Sequence, residues 1–482
     1  MKRLMAAVAF LVLVSIQIPA LAHKNDVTLS ETQETLDAYI AQQMEWGRVP
    51  GLALGIVRED GTAFIKGYGT AGNGAKVTGE TVFPIASVSK VFTALAARQM
   101  INAGMLEEGT EVQAYLPGFS PMFQGQQAKV TVRQLLTHMS GIAKIKGGAP
   151  YLYGSDTTFE EIVERERNLT LVRQPGADYE YSNLNYLLLA AVMEAASGMM
   201  YEDYVRTHVL SPLEMEHTYL RADQIPQGQK TQGHIILYGL PVRAAYPEPS
   251  ALLPTGGIYT DAGDMARLLS CYLANGSYHN NSILYPAGYG GDSPSVGSFH
   301  DIYWVPGIDA QRELFHDGSL PEGTSSIRID RQSGYAVVVL ANANDQDLFF
   351  SNGISAGTIS QGLLQYLKTG TFPERKAPAG AYERLAFPAA VFAGLFYYVA
   401  SSTRRLFQKE KFPLAVLLAD GILPLLALTL IPVYHNISWG WLLAYHPELN
   451  STILGCIGIL LISFAVKGTL YVRKRKKRAT IS

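Results

Sequence analysis

Three apolar runs near the C-terminus, approximately 385–402, 413–433 and 452–472, constrain this chain more than any other feature. Each is about the length at which an α-helix crosses a bilayer. Arg404, Arg405, Lys409 and Lys411 lie between the first two runs, and a basic block from Arg473 to Arg478 follows the third. The stretch from Tyr434 to Ser451 has no Lys or Arg and carries Trp439 and Trp441, as an outer interface would. Positive charge on the cytoplasmic side then predicts a multi-pass protein of the cell membrane with residues 23–384 outside and a cytoplasmic tail at 473–482. Residues 1–22 point to the same orientation. Lys2 and Arg3, an apolar run from Leu4 to Ile18 and small residues at Ala20 and Ala22 read as a cleaved signal peptide. The basic tail is an orientation signal and gives no reason to expect a nucleic-acid partner.

Two charges fall inside these runs. Asp420 and Lys467 would each sit roughly 8–10 Å deep at 1.5 Å per residue. An unpaired carboxylate at that depth is costly, so the two are expected to pair. The two cysteines, Cys271 and Cys456, lie in different compartments of this scheme, and no disulfide is expected.

The outer region, residues 23–370, reads as α+β. A polar helix is expected from about Ser30 to Gly47, followed by a β-hairpin turning at Asp60-Gly61. A second group of strands spans about Leu314 to Ala343, with a turn near Ser333-Gly334. The intervening chain is mostly helical. The simplest assembly is one antiparallel sheet built from both ends of the region, flanked by helices and interrupted by a helical insertion, with the helix ending near Leu367 packed back on it. Residues 371–384 form a Pro-containing linker to the membrane helices at 385–472.

Chemistry concentrates at Ser87-Val88-Ser89-Lys90, at the start of an expected helix ending by Gly104. A spacing of three puts the Ser87 hydroxyl and the Lys90 amine on one face of its first turn, where the amine can take the hydroxyl proton. The positive end of the helix dipole disfavours a charged lysine and favours an oxyanion. Tyr181-Ser182-Asn183 precedes an apolar helix at a turn that can aim a side chain into a cleft. Of two candidates for a third element, Lys368-Thr369-Gly370 closes a helix, whereas His316-Asp317-Gly318-Ser319 leads from a strand into the second strand group.

With these elements in order, the chain resembles the serine hydrolases of the class C β-lactamase and penicillin-binding-protein superfamily, the S12 peptidase group. Leu135-Leu136-Thr137-His138-Met139-Ser140-Gly141 and Pro254-Thr255-Gly256-Gly257 resemble two further segments of that family. The resemblance covers about residues 33–367. It implies a β-lactamase/DD-peptidase-like fold and an acyl-enzyme on Ser87, with Lys90 and Tyr181 sharing the proton work. It also implies that Asn183 orients the substrate, that the N–H groups of Ser87 and Ser319 form an oxyanion hole, and that His138 is structural. No metal or organic cofactor is required.

Two departures narrow the expected chemistry. His316 stands where many β-lactamases carry a lysine, and Asp317 is acidic where Thr, Ser or Gly is ordinary. Asp317 beside the site would repel a free carboxylate and tilt selectivity toward neutral or cationic acyl donors. The expected substrate is a small peptide or amide containing a D-amino acid, or a carboxypeptidase substrate of the penicillin-binding-protein type. Ester or β-lactam hydrolysis, and a receptor that binds a cell-wall fragment or antibiotic without turnover, stay open. The membrane arrangement also resembles peptidases that remove an N-acyl-D-amino-acid cap. The lipid bilayer is the one macroscopic partner expected.

Overall fold

The computed structural model describes residues 29–72, 74–144, 157–245, 250–274, 276–279, 281–283, 313–345, 353–377, 381–408, 414–435 and 447–479. The expected signal peptide and the loop with Trp439 and Trp441 lie outside the described residues. The chain forms two compact units, residues 1–40 and 41–482. The first is described from Leu29 onward as most of helix α1 (Leu29–Gly47).

In the second unit, β1 (Gly51–Arg58) and β2 (Ala63–Gly69) form the hairpin expected around Asp60-Gly61, with Gly61 at φ 83°. From the other end of the domain come β5 (Glu313–Leu320), β6 (Gly323–Asp330) and β7 (Tyr335–Ala341). The five strands join as one antiparallel sheet in the order β5-β6-β7-β1-β2, closed between Leu52 opposite Ala341 and Arg58 opposite Tyr335. Every residue of β6 and β7 is buried, so both faces of the sheet are covered. Helices α4 (Ala262–Leu273) and α5 (Ala356–Thr369) pack against it. Two shorter strands of the insertion, β3 (His234–Leu237) and β4 (Leu240–Arg243), make a hairpin that β8 (Ala343–Asn344) joins in parallel, giving a small sheet in the order β8-β3-β4.

The helix beginning after Ser87 differs from its expected form. Ala86–Val88 make one 3₁₀ turn, and α2 proper spans Ser89–Asn102, with the chain turning at Gly104, φ 72°. All residues from Ser89 to Met100 are buried, so α2 is a central helix enclosed on every side. Ser87 therefore sits on the tight turn feeding the helix.

Three helices follow the hydrolase-like region: α6 (Ala381–Gln408), α7 (Leu414–His435) and α8 (Pro447–Ala479). Helix α6 starts at Ala381, inside the expected linker, and α8 continues through the basic block, where cations at a helix C-terminus complement its dipole. Arg384–Gln408 and Glu448–Lys476 are long and apolar enough to cross a membrane, whereas the apolar stretch described in α7, Val416–Leu428, is shorter. Of the three expected crossings, two therefore fall on helices long and apolar enough to span a membrane among the described residues.

Asp420 and Lys467 do meet, with Nζ 2.6 Å from Oδ2 and both side chains fully buried. Tyr398 donates to Asp420 Oδ1 at 2.8 Å, Ser463 to Oδ2 at 2.6 Å, and Lys467 also donates to Ser402. The group ties α6, α7 and α8 together. Cys271 and Cys456 are free thiols.

Candidate active site

The Ser87 turn is fixed by its neighbours before any chemistry is considered. Ile85 donates its N–H to Ile258 O at 3.0 Å, and its carbonyl accepts the Ser325 hydroxyl at 2.6 Å. Between Ile85 and Ser87, Ala86 is held at φ 48°, a left-handed conformation that costs a residue with a Cβ roughly 1–2 kcal/mol. The surrounding contacts maintain that strain at the point where the half-buried Ser87 is presented.

Lys90, one turn on, is 1% exposed. Its Nζ donates to Thr255 O at 2.6 Å and lies 3.4 Å from Ser87 Oγ. Burial pushes the Lys90 amine well below its usual range. Tyr181 reaches the same serine from the turn before α3 (Asn183–Ser197), its hydroxyl donating to Ser87 Oγ at 2.9 Å. The Lys90 amine stands 5.0 Å from the Tyr181 ring centre. Lys90 and Tyr181, from two distant stretches of chain, thus converge on the oxygen of Ser87.

His138 supports this arrangement from behind. Its ring lies 4.5 Å from that of Tyr181 and 5.2 Å from that of Tyr186. The Ser182 N–H donates to His138 Nδ1 at 3.2 Å, and Asn185 Nδ2 lies 3.0 Å from it. An Nδ1 that accepts from a backbone N–H is unprotonated, so the ring carries its proton on Nε2. Burial, then the nearby Lys90 and His316, hold His138 well below its ordinary range, so it is neutral. It orients the turn that carries Tyr181, and it makes no contact with Ser87 among its hydrogen bonds described here.

The third element lies within β5, where alternation separates its residues. His316 and Gly318 point to the buried face, Asp317 and Ser319 to the other. His316 Nδ1 pairs with the carbonyl of Asp317 at 2.9 Å and must donate there, which leaves Nε2 as an acceptor. Burial and then the Lys90 charge lower its pKa to about 4. Gly318 is required by close approach: a Cβ there would lie 2.4 Å from Ile85 O and 2.3 Å from Ser325 Oγ. Without a side chain at 318, β5, an edge strand of the sheet, can run against the Ser87 turn. Ser319 Oγ accepts from Asn344 Nδ2 at 2.9 Å, and Asn344 also donates to Leu320 O at 2.5 Å.

Asp317 makes its contacts away from His316 and Gly318. Its carboxylate accepts from Ser326 Oγ at 2.6 Å, lies 3.6 Å from Arg328 and packs against Gly357 of α5. The strand pleat turns it to the face opposite His316 and Gly318, where its side chain is 45% exposed. Asn183 is the first residue of α3 and half-buried, two residues from Tyr181. Lys368 pairs with Asp330, and Gly370 ends α5 at φ 74°, so Lys368-Thr369-Gly370 closes a helix as expected.

Sequence reasoning assigned no role to Thr255, whose carbonyl anchors Lys90. The Pro254-Thr255-Gly256-Gly257 stretch was its signal: Thr93 donates to Pro254 O at 2.7 Å, and Ser89 Oγ accepts the Ile258 N–H at 3.1 Å. This stitches the segment along α2. Away from the site, His217, Asp261 and Asp264 place ligating atoms within 4.8 Å of one another. Asp264 is already held by Arg267, Thr218 and the His217 N–H, and Asp261 caps α4 through the Asp264 N–H. These bonds account for the cluster as the N-terminal network of α4.

Comparison with known proteins identifies the family and the fold. Residues 36–353 match the Beta-lactamase family. Protein flp of Staphylococcus aureus strain MW2 is 26% identical over 327 residues, covering 66% of this chain and 64% of that protein. The chain thus spans just under two thirds of the length of that relative. Penicillin-binding protein 4 of Amycolatopsis lactamdurans is 26% identical over 383 residues, 73% of this chain and 97% of that protein. Among solved structures, the octameric penicillin-binding protein homologue from Pyrococcus abyssi superposes with TM-score 0.59 at 25% identity, covering 74% of this chain and 81% of its own. EstCE1, a hydrolase with promiscuous acyltransferase activity, shares the fold at TM-score 0.53 and 20% identity, over 65% of this chain and 93% of its own. With a matched stretch that contains the Ser87 turn, the Tyr181 turn and strand β5 together, the chain belongs to the Beta-lactamase family of serine hydrolases.

Proposed function

We propose that this protein is a membrane-anchored serine hydrolase that forms an acyl-enzyme on Ser87 and cleaves amides of D-amino-acid-containing peptides. The observation that carries this reading is the convergence of Tyr181 OH and Lys90 Nζ on Ser87 Oγ, at 2.9 and 3.4 Å. A nucleophile needs a base within such reach, and burial favours the neutral Lys90 amine that can serve as one.

In the first step the Ser87 oxygen bonds to the substrate carbonyl carbon while its proton passes to the neutral Lys90 amine, and the Tyr181 hydroxyl, which donates to Ser87 Oγ, is placed to relay a proton to the leaving group. The carbonyl oxygen becomes an oxyanion, held by the N–H groups of Ser87 and Ser319, and such donors typically contribute ~3 kcal/mol or more to the transition state. Collapse breaks the carbon–nitrogen bond, and the leaving amine takes the proton back. Water then adds to the Ser87 ester, passes a proton to the same base and releases the acid. Asn183 would orient the substrate amide from the start of α3, and His316, uncharged above about pH 4, adds no fixed positive charge for a substrate carboxylate.

Helices α6 and α8 anchor the enzyme, with the hydrolase outside the cell, the signal peptide at 1–22 removed and the basic tail in the cytoplasm. The reading is tested by turnover of N-acyl-D-amino-acid amides by the full chain in detergent. Release of amine by the wild type that stops in Ser87→Ala supports it. Equal rates in the two proteins would refute it.

A further inference from the structure

The small sheet β8-β3-β4 is bolted to the membrane helices at two places. At the turn between β3 and β4, Tyr238 donates its N–H to the Glu448 carboxylate, and its hydroxyl lies 2.8 Å from Ser451 Oγ. Directly after β8, Asp345 holds Arg384 through contacts of 2.6 and 3.2 Å, with both side chains 2% exposed. Arg384 and Glu448 are the residues at which the two apolar, membrane-length segments of α6 and α8 begin. These contacts form one network, since Arg384 lies 3.8 Å from Glu448, and it fixes the sheet at the level where the two apolar segments begin.

Among the described residues no strand pairs with the outer edge of β4, and all four of its residues are exposed. Leu240 is 62% exposed and Val242 41%, with Pro241 between them. Edge strands ordinarily carry charge or Pro or are sheltered, because an apolar edge invites association; β4 has Pro241 and ends in exposed Arg243, yet it still presents Leu240 and Val242. Here the apolar tip comes two residues after Tyr238, which is itself hydrogen-bonded to the first turn of α8.

We propose that Leu240, Pro241 and Val242 rest in the headgroup layer of the bilayer leaflet on the hydrolase side, making β4 a lipid-contact strand. This inference rests on the reading of α6 and α8 as membrane-spanning. It also gives the active site a position. Asn344 of β8, which holds Ser319, is two strands from β4, about 10 Å at ordinary strand spacing. The cleft then works beside the lipid surface.

The test is spin-label accessibility in the full chain reconstituted into phosphatidylcholine–phosphatidylglycerol nanodiscs. A Cys456→Ser background leaves Cys271, which is buried. Labels are placed at Leu240→Cys, at Asp223→Cys as an exposed reference and at Val466→Cys within α8. The expected result is a Leu240 label that oxygen reaches readily and a water-soluble nickel chelate reaches several-fold less well than it reaches the Asp223 label. A Leu240 label as open to nickel as Asp223, with Val466 shielded, would overturn the proposal while leaving the membrane reading intact. Exclusion of oxygen and nickel alike at Leu240 would mean a protein partner covers the strand, and would overturn it too. If Val466 were also open to nickel, the membrane reading would fall and the proposal with it.

Discussion

Lys90 donates to the carbonyl of Thr255 at 2.6 Å from a position with almost no contact with solvent. A charged ammonium there would have only the Thr255 carbonyl, the Ser87 hydroxyl and the nearby tyrosine rings to compensate it, and no carboxylate is among its described partners. Burial lowers the Lys90 pKa, so the neutral amine is available as a base well below pH 10. The acylation rate should therefore rise with pH through a transition below the ordinary lysine range. In Lys90→Met that limb should disappear and acylation should fall ~10²–10⁴-fold, measured by stopped-flow release from an active ester. A mutant with the wild-type rate and pH profile would remove Lys90 from the proton work.

His316 supplies a stability signature at lower pH. Its folded pKa, about 4, lies below the unfolded value near 6.5, so between those limits the unfolded chain binds more protons. Its contribution is present above about pH 6.5 and is lost as pH falls toward 4. Thermal unfolding between pH 7 and pH 4.5 should show a steeper loss of Tm in the wild type than in His316→Asn. Parallel curves would mean that His316 is not buried in its neutral form.

Asp317 makes its contacts on the far face of β5, with Ser326 and Arg328. Asp317→Ser should leave the ratio of rates for acidic and neutral acyl donors unchanged. Its expected cost is in stability, roughly 1–2 kcal/mol from a lost charge-assisted hydrogen bond, read from denaturant unfolding. A changed donor ratio with unchanged stability would place the carboxylate at the cleft instead.

The Asp420–Lys467 pair is fully buried and shared among three helices. Removing one partner leaves a buried charge, so Asp420→Asn should destabilise the bundle by roughly 3–5 kcal/mol. Asp420→Asn combined with Lys467→Met should recover part of that loss. Unfolding in detergent, followed by helical signal, measures both, and additive losses in the double mutant would show that the residues act independently.

Much of this was legible in residues one after another. The Ser87/Lys90 spacing, the turn at Tyr181 and the glycine of His316-Asp317-Gly318 each signal a local geometry that the fold uses. The two strand groups announced themselves by alternation, and the Asp420–Lys467 pair by the cost of a lone intramembrane charge. What sequence order could not give was direction. Asp317 is adjacent to His316 along the chain, yet the pleat sends the two side chains to opposite faces. Thr255 anchors Lys90 through a backbone carbonyl, which leaves no mark on residue type. The 3₁₀ turn and the strained Ala86 arise from packing against Ile258, Ser325 and Gly318, contacts distant in sequence.

The central claim is covalent chemistry on Ser87, and intact mass spectrometry reads it most directly. The full chain in detergent is incubated with an active ester and, separately, with a penicillin, beside Ser87→Ala. The account predicts a single acyl adduct on the wild type with at least the ester, mapped to the peptide containing Ser87 and absent from the mutant. An adduct that persists in Ser87→Ala, or one mapped to another residue, would contradict it.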